Sequence, residues 1–225
     1  MTIAACLRHH GRTRYSHLLG YRSRLALAKL RSLLVVALLL ASPVGPQATP
    51  ARAADGAWLD ELPLSQWNTP GMEIPPANDL GLPIDPRSVA RERSPETPED
   101  EALVAAGWRL FAAYQAGWGV TVVQATGAYD GMGRPWSYQA FVFVDGALAG
   151  TLSPYPMNAR SDGALDRVSL LAADDIRGEF RRYVPSDPLC CPSGSSTVRF
   201  HIDRSDQGSV VRPTEVSARS GGEGA

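Results

Sequence analysis

Two adjacent cysteines, Cys190 and Cys191, carry the most distinctive potential chemistry in this chain. They lie in the stretch "DPLCCPSGSS", and the third cysteine, Cys6, is close to the start of the chain. Three interpretations are open. The pair forms a disulfide that stiffens a turn, or it consists of two reduced, buried thiols that pack as small apolar groups. In the third, it is a soft-metal or redox site, together with His201.

Other catalytic arrangements find little support. Beyond residue 53 the chain has one histidine, His201, and no lysine, so a lysine base or a Schiff base is excluded. The same region contains no nucleophile elbow, no zinc-protease motif, no phosphate loop and no dinucleotide fingerprint. Carboxylates are numerous, but no spacing singles out a pair, and a hydrolase built on them is the weakest alternative. The sequence therefore predicts no catalytic residue, no cofactor and no metal site, and it disfavours an enzyme.

Two loops have the composition of a binding surface, namely "AYDGMGRPWSY" and "SPYPMNARSDG". Connections of an antiparallel sheet can gather at one end and form a shallow pocket, with guanidinium groups for an anionic ligand and aromatic walls. The candidate ligand-binding residues are Arg134, Trp136, Tyr155, Arg160 and Asp162. The alternative is that each arginine only holds its own loop, by capping carbonyls or by pairing with Asp130 or Asp162.

The first 53 residues predict export. They contain eight basic residues and no acidic one, and they include the apolar run Leu33–Ala41, which is too short to span a bilayer. Ala51 and Ala53 supply an Ala-x-Ala cleavage site. We therefore interpret residues 1–53 as a signal peptide, and the protein as secreted or associated with the cell envelope. An uncleaved N-terminal anchor is the alternative.

Export bears on two further questions, namely which class of partner the protein binds and whether the two cysteines are oxidised. Without residues 1–53 the chain keeps 14 basic residues, all arginine, against 23 acidic ones, a formal charge of −9. This charge argues against nucleic acid as a partner. After signal cleavage we expect no stable membrane span, and the partner is an envelope or extracellular ligand. Because exported proteins usually oxidise their thiols, a disulfide between Cys190 and Cys191 is the favoured reading.

The remaining elements predict a single α+β domain. Residues 54–97 are rich in proline but contain tryptophans, which predicts an extended arm packed across the domain; a recognition tail is the alternative. The segment from Thr97 to Gly117 has a capping box and apolar spacings of three and four, which predict a helix. The rest to residue 212 alternates with a period of two and predicts an antiparallel sheet of about four to six strands. Residues 213–225 have little to bury and are predicted to be disordered.

These strands contain a hairpin and three further segments. Asp145 and Gly146 predict a two-residue turn, in a register that places Phe141 opposite Gly150. The segments "DRVSLL", "GEFRRYV" and "TVRFHID" predict three more short strands. The fold class is therefore one N-terminal helix packed on an antiparallel sheet, preceded by the proline-rich arm, with the domain at residues 98–212.

The stretches "FVFVDGALAGTLSP" and "RRYVPSDPLCCPSGSSTVRFHI" resemble the LppP/LprE family of exported bacterial proteins, many of them lipoproteins. The D-x-x-C-C-P-S loop between two strands is the most specific part of this resemblance. It implies an envelope-associated or secreted domain with no assigned catalytic residues. The chain lacks a lipobox cysteine after the apolar run, a departure that puts lipid anchoring in question.

Together these observations predict an exported, non-enzymatic binding or structural protein of the cell envelope or extracellular space. The alternative is an extracytoplasmic thiol or metal protein centred on Cys190 and Cys191.

Overall fold

The computed structural model describes residues 56–78, 80–81 and 91–220, all within one compact unit spanning residues 48–225. The predicted signal peptide, residues 1–53, lies outside the described residues. The elements in this part of the chain are the 3-10 helix η1 (Ala57–Asp60), the α-helix α1 (Pro98–Ala105) and the strands β1 (Arg109–Leu110), β2 (Gln115–Gly117), β3 (Val120–Tyr129), β4 (Pro135–Val144), β5 (Ala147–Thr151), β6 (Met157–Asn158), β7 (Leu165–Ala172), β8 (Asp175–Arg182), β9 (Gly194–Ser205) and β10 (Gly208–Ser220). None of the helices described is long and apolar enough to cross a membrane.

The strands form two antiparallel sheets. Sheet A has the order β1-β3-β4-β5, with β2 also paired to β3 and β6 paired to β4. Sheet B has the order β10-β9-β8-β7. The prediction of antiparallel strands in a sheet of four to six is therefore confirmed in coarse form, but the structure has two such sheets where the sequence predicted one.

The two sheets pack face to face around the main apolar core. This core includes Val122 and Val142 from sheet A and Phe180 and Phe200 from sheet B. A second cluster lies on the opposite face of sheet A, where Leu103 of α1 packs with Trp108, Leu110, Val123, Ala125, Phe141 and Phe143. Because both faces of sheet A are covered, β4 is buried continuously from residue 137 to residue 144.

The α-helix begins as predicted. The Thr97 side chain accepts a hydrogen bond from the Asp100 N–H, and the Asp100 carboxylate accepts one from the Thr97 N–H, which completes a capping box. Pro98 occupies the first turn of the helix. The start signal in the sequence is therefore confirmed.

The predicted extent of this helix is wrong. It ends at Ala105, because Gly107 adopts a φ of 89°. The Trp108 N–H then donates to the Leu103 carbonyl at 3.0 Å in a Schellman turn. The residues that follow form β1 and β2 on sheet A, and apolar spacings of three and four did not distinguish these short strands from a helix. The helix is also not N-terminal, since η1 and the arm precede it.

The predicted disordered tail is wrong for residues 213–220. These residues form the second half of β10, which pairs with β9 as far as Ser220 opposite Gly194. A register shift between Pro213 and Glu215 accommodates the proline. The segment is ordered by backbone pairing, which needs little apolar content, although Val216 also packs against the core.

The hairpin turn at Asp145 and Gly146 has the predicted positive φ values of 49° and 82°. Its register is different, because a bulge after Val142 places Gly150 opposite Val142 and Phe141 opposite Thr151. Gly150 is therefore not covered by an aromatic ring. An added Cβ at Gly150 would lie within 3 Å of the Asn68 amide, so this side chain from the arm occupies that space.

The arm, which includes η1, is an integral layer of the structure. Trp58 and Leu59 are part of the main core. The Trp58 ring packs edge to face on Phe180, with the ring centroids 5.2 Å apart. Further along, the Trp108 indole N–H donates to the Pro75 carbonyl at 2.7 Å. Trp58 is thus used for packing in the core.

Side-chain amides bond part of each edge of sheet B. At the β7 edge, Gln115 donates to the Val168 carbonyl at 2.7 Å and accepts from the Leu170 N–H at 2.8 Å. At the β10 edge, Asn68 donates to the Val211 carbonyl at 2.9 Å and Gln66 donates to the Pro213 carbonyl at 3.1 Å. The amides therefore make the hydrogen bonds that a neighbouring strand would make.

Tyr129 carries a buried hydroxyl that makes no hydrogen bond with any described residue. The residue is 5% exposed, and burial, together with the nearby Glu92 carboxylate, raises the pKa of Tyr129 from 10.0 to about 12. A raised folded-state pKa means that stability present below pH 10 is lost as the pH rises toward 12. This arrangement predicts that the free energy of unfolding falls between pH 10 and pH 12.

Replacing Tyr129 by phenylalanine is expected to raise the free energy of unfolding at pH 7 by about 1 kcal/mol, because the unpaired hydroxyl is removed. Between pH 10 and 12 the natural protein should lose about 2 kcal/mol more than this variant. Urea unfolding at pH 7, 10 and 12 measures both differences. Parallel pH curves for the two proteins would contradict the assignment to Tyr129.

Candidate ligand-binding surface

The two loops highlighted by the sequence meet at one end of sheet A. The Ala159 N–H donates to the Pro135 carbonyl at 3.1 Å, and the Ser137 N–H donates to the Asn158 side chain at 2.9 Å. The pairing of β6 with β4 places Asn158 opposite Trp136. The structure therefore brings Trp136 and Arg160 to the same part of the fold.

Two of the five candidate residues are committed to internal ion pairs. The Arg134 guanidinium contacts the Asp130 carboxylate at 2.6 Å, within its own turn. Burial alone would raise the pKa of Asp130, but hydrogen bonds from the Arg134 N–H and side chain hold it below its ordinary value. Asp162 accepts from the Arg182 side chain at 3.0 Å and from the Tyr183 N–H at 2.8 Å. Arg134 thus matches the alternative reading, in which an arginine holds its own loop, whereas Asp162 pairs with Arg182 of β8, a partner that this reading did not include.

The other three candidates remain available. Tyr155 is 57% exposed and Trp136 is half-buried. Arg160 has a φ of 64° and makes no ion pair with any described residue. None of the three lines either of the two surface depressions on sheet B.

The outer face of sheet B, meaning the face turned away from sheet A, carries a polar surface. In β9 the buried residues Ser196, Val198, Phe200 and Ile202 alternate with polar residues that point outward. A depression of about 350 Å³ lies on this face. It is lined by Arg177, Glu179, Ser195, Thr197, Arg199, Glu215, Ser217 and Arg219. No described element covers this lining.

The strand register arranges these side chains in rows. Arg177, Arg199 and Glu215 form one row across β8, β9 and β10. Glu179, Thr197 and Ser217 form the next, and Arg181, Ser195 and Arg219 the third. Arginines thus lie at two ends of the depression, with hydroxyl groups between them.

Two of the arginines form no ion pair with a described residue, although the charge of Arg177 acts on Asp175. Arg199 contacts Asp175 at 2.7 Å, and the hydrogen bond from Arg199 is the main cause that lowers the pKa of Asp175. Arg177 and Arg219 make no ion pair with any residue that the structure describes. From the strand spacings, their backbones are on the order of 16 Å apart. The depression therefore has two separated cations available for a ligand.

A second depression of about 450 Å³ adjoins the first and includes His201. The His201 ring lies 3.7 Å from the Asp174 carboxylate and 3.5 Å from the Asp203 carboxylate. Within residues 56–78, 80–81 and 91–220, no group of three or more His, Cys, Asp or Glu side chains is placed to hold a metal ion. His201 is thus a rim residue of the outer face.

The cysteine pair lies in the β8–β9 loop, residues 183–193. The sulfur atoms of Cys190 and Cys191 lie at disulfide distance from each other, and the Cα atoms are 3.8 Å apart. Both residues are exposed. This exposure conflicts with the reading of two buried, reduced thiols.

The outer face was missed because residues 213–225 were expected to be disordered. The alternating polar residues of "TVRFHI" already indicate an exposed strand face. The alternation in "TEVSARS" carries the same signal, but it has meaning only once this segment is recognised as a strand beside β9.

Comparison with known proteins gives one match. Residues 115–205 match the model of the LppP/LprE lipoprotein family. This match spans β2 to β9, including the cysteine pair, and it confirms for these residues the resemblance drawn from the sequence. A match to this lipoprotein family indicates an exported, envelope-associated protein. No curated protein and no solved structure matches the chain.

Proposed function

We propose that this protein is an envelope-associated or secreted binding protein that recognises an acidic glycan on the outer face of sheet B. The observation that carries the proposal is a pair of arginines that form no ion pair with a described residue, Arg177 and Arg219, at opposite ends of a polar depression. Guanidinium groups bind carboxylates through charge-assisted hydrogen bonds. Their separation suits an extended chain with more than one acidic group.

The rest of the lining favours a saccharide over other anions. The hydroxyls of Ser195, Thr197 and Ser217 donate and accept hydrogen bonds, as a sugar chain requires. Glu179 and Glu215 can accept hydrogen bonds from sugar hydroxyls, which a polyphosphate chain lacks along its length. The lining contains no apolar side chain, which disfavours a lipid.

The proposal predicts the effect of removing the two cations. Arg177→Ala and Arg219→Ala should each weaken binding to polygalacturonate, a uronic acid polymer, by about tenfold, since each removes a charge-assisted contact worth about 1.5 kcal/mol. Isothermal titration of the exported protein measures these affinities. The melting temperature should barely change, because neither side chain makes an ion pair with a described residue.

Arg160→Ala is the matched control, because Arg160 is also without an ion pair but belongs to the loops around Trp136. It should bind polygalacturonate like the natural protein, and dextran should bind to none of the variants. If only Arg160→Ala weakens binding, the site lies at the loops. If the natural protein does not bind polygalacturonate, the assigned ligand class is wrong.

A further inference from the structure

The β8–β9 loop is held closed by hydrogen bonds that do not involve sulfur. The Asp187 carboxylate accepts from the Val184 and Ser193 N–H groups, both at 2.9 Å. These backbone hydrogen bonds hold the pKa of Asp187 below its ordinary value. The Tyr183 hydroxyl also donates to the Leu189 carbonyl at 3.2 Å. The shape of the loop therefore has a basis independent of the disulfide.

The disulfide between Cys190 and Cys191 contributes little to holding the chain together. In the chain-entropy account, a disulfide stabilises a protein by the loop that it closes, and the gain grows with the number of residues enclosed. Here the sequence separation is one. A role as a structural crosslink is therefore a poor explanation for this bond.

The position of the bond fits a reaction better. Attack by a thiolate on a disulfide sulfur requires access, and both cysteines are exposed at the tip between two strands. Beside them, Leu189 is 67% exposed and Val184 is 49% exposed. Apolar side chains next to the sulfur atoms suit contact with a protein better than contact with a small hydrophilic thiol.

We propose that Cys190–Cys191 is a thiol–disulfide exchange site that accepts two electrons from an extracytoplasmic protein dithiol. One thiolate of the partner attacks a sulfur of the pair, which forms a mixed disulfide and releases the other cysteine as a thiolate that takes up a proton. The second partner thiol, deprotonated, then attacks the mixed disulfide. The partner leaves oxidised to a disulfide, and Cys190 and Cys191 are both left as thiols. This activity is separate from glycan binding on the outer face of sheet B.

The test uses the exported protein and a reduced Cys-x-x-Cys protein as the probe. With the resolving cysteine of the probe changed to serine, we expect a one-to-one mixed disulfide that peptide mapping assigns to Cys190 or Cys191. After treatment with the unmodified probe, both cysteines should be reduced and each should take one alkyl group. The probe should reduce the pair at least tenfold faster than glutathione does at equal thiolate concentration. The Cys190→Ser, Cys191→Ser double variant should form no adduct.

Three outcomes would overturn the proposal. These are alkylation of both cysteines without any reductant, equal rates with the probe and with glutathione, or no reaction with the probe when dithiothreitol reduces the bond. Binding of polygalacturonate by the same double variant should be unchanged, so failure of one proposal is distinguishable from failure of the other.

Discussion

Replacing Asp100 by asparagine is expected to destabilise the protein by about 3 to 5 kcal/mol. The Asp100 side chain is completely buried and receives two hydrogen bonds of 2.6 Å from Arg93. It also accepts from the N–H groups of Glu96 and Thr97. Loss of its charge would leave the largely buried Arg93 without a counter-ion and weaken the start of α1 at the same time. Urea unfolding at pH 7 measures the effect.

Glu101→Gln is the matched control. It also removes one negative charge from the first turn of the helix, but Glu101 is the next residue and is exposed. It should cost less than about 1 kcal/mol. A similar loss in both variants would show that the general charge of the first helical turn matters more than the buried pair.

The effect of Asp100 should also depend on pH. Burial alone would raise the pKa of Asp100, but hydrogen bonds from Arg93 and from the Glu96 N–H lower it below the ordinary value of 3.8. A lowered folded-state pKa contributes stability that is present above pH 3.8 and is lost as the pH falls through the folded value. The gap between the natural protein and Asp100→Asn should therefore narrow in strong acid.

Replacing Asn68 by aspartate is expected to cost about 3 to 5 kcal/mol. Asn68 is 4% exposed. Its amide donates to the carbonyls of Thr151 and Val211, both at 2.9 Å, and its oxygen accepts from the Thr151 N–H at 3.0 Å. An ionised aspartate would face two carbonyls without a proton to donate. One side chain thus connects the arm to sheet A and sheet B.

Thermal unfolding of Asn68→Asp and of Gln66→Ala tests this role. Gln66 is the control because it also donates to a carbonyl of β10, at 3.1 Å, but from an exposed position. It should cost about 1 kcal/mol or less. Equal losses would mean that the arm is held by its tryptophans and not by the buried amide.

The strands and the start of the helix were predictable because their signals are local. Thr97 and Asp100 form the capping box read from their spacing, and alternation located β7, β8 and β9. The end of the helix was not predictable in the same way. Trp108 and Phe111 keep helical spacing, but Gly107 and the pairing of β1 with β3 override it. Such pairing depends on residues distant in sequence, which local spacing does not report.

The candidate site shows the same division. Arg134 and Asp162 looked available for a ligand because sequence alone gives no partners, whereas the structure pairs them with Asp130 and Arg182. The outer face of sheet B could be found only from three strands in register. Arg219 enters that face because β10 continues beyond Pro213, a feature that composition argued against.

The side-chain amides at the edges of sheet B bear on how copies of the protein meet one another. An open sheet edge is a template for adding strands from other copies, which leads to fibrous aggregates. Gln115 on one side and Asn68 on the other occupy some of the backbone groups that such an addition would use. At these positions an incoming strand would find its backbone partners already bonded, so we expect loss of either amide to make that edge more open to pairing.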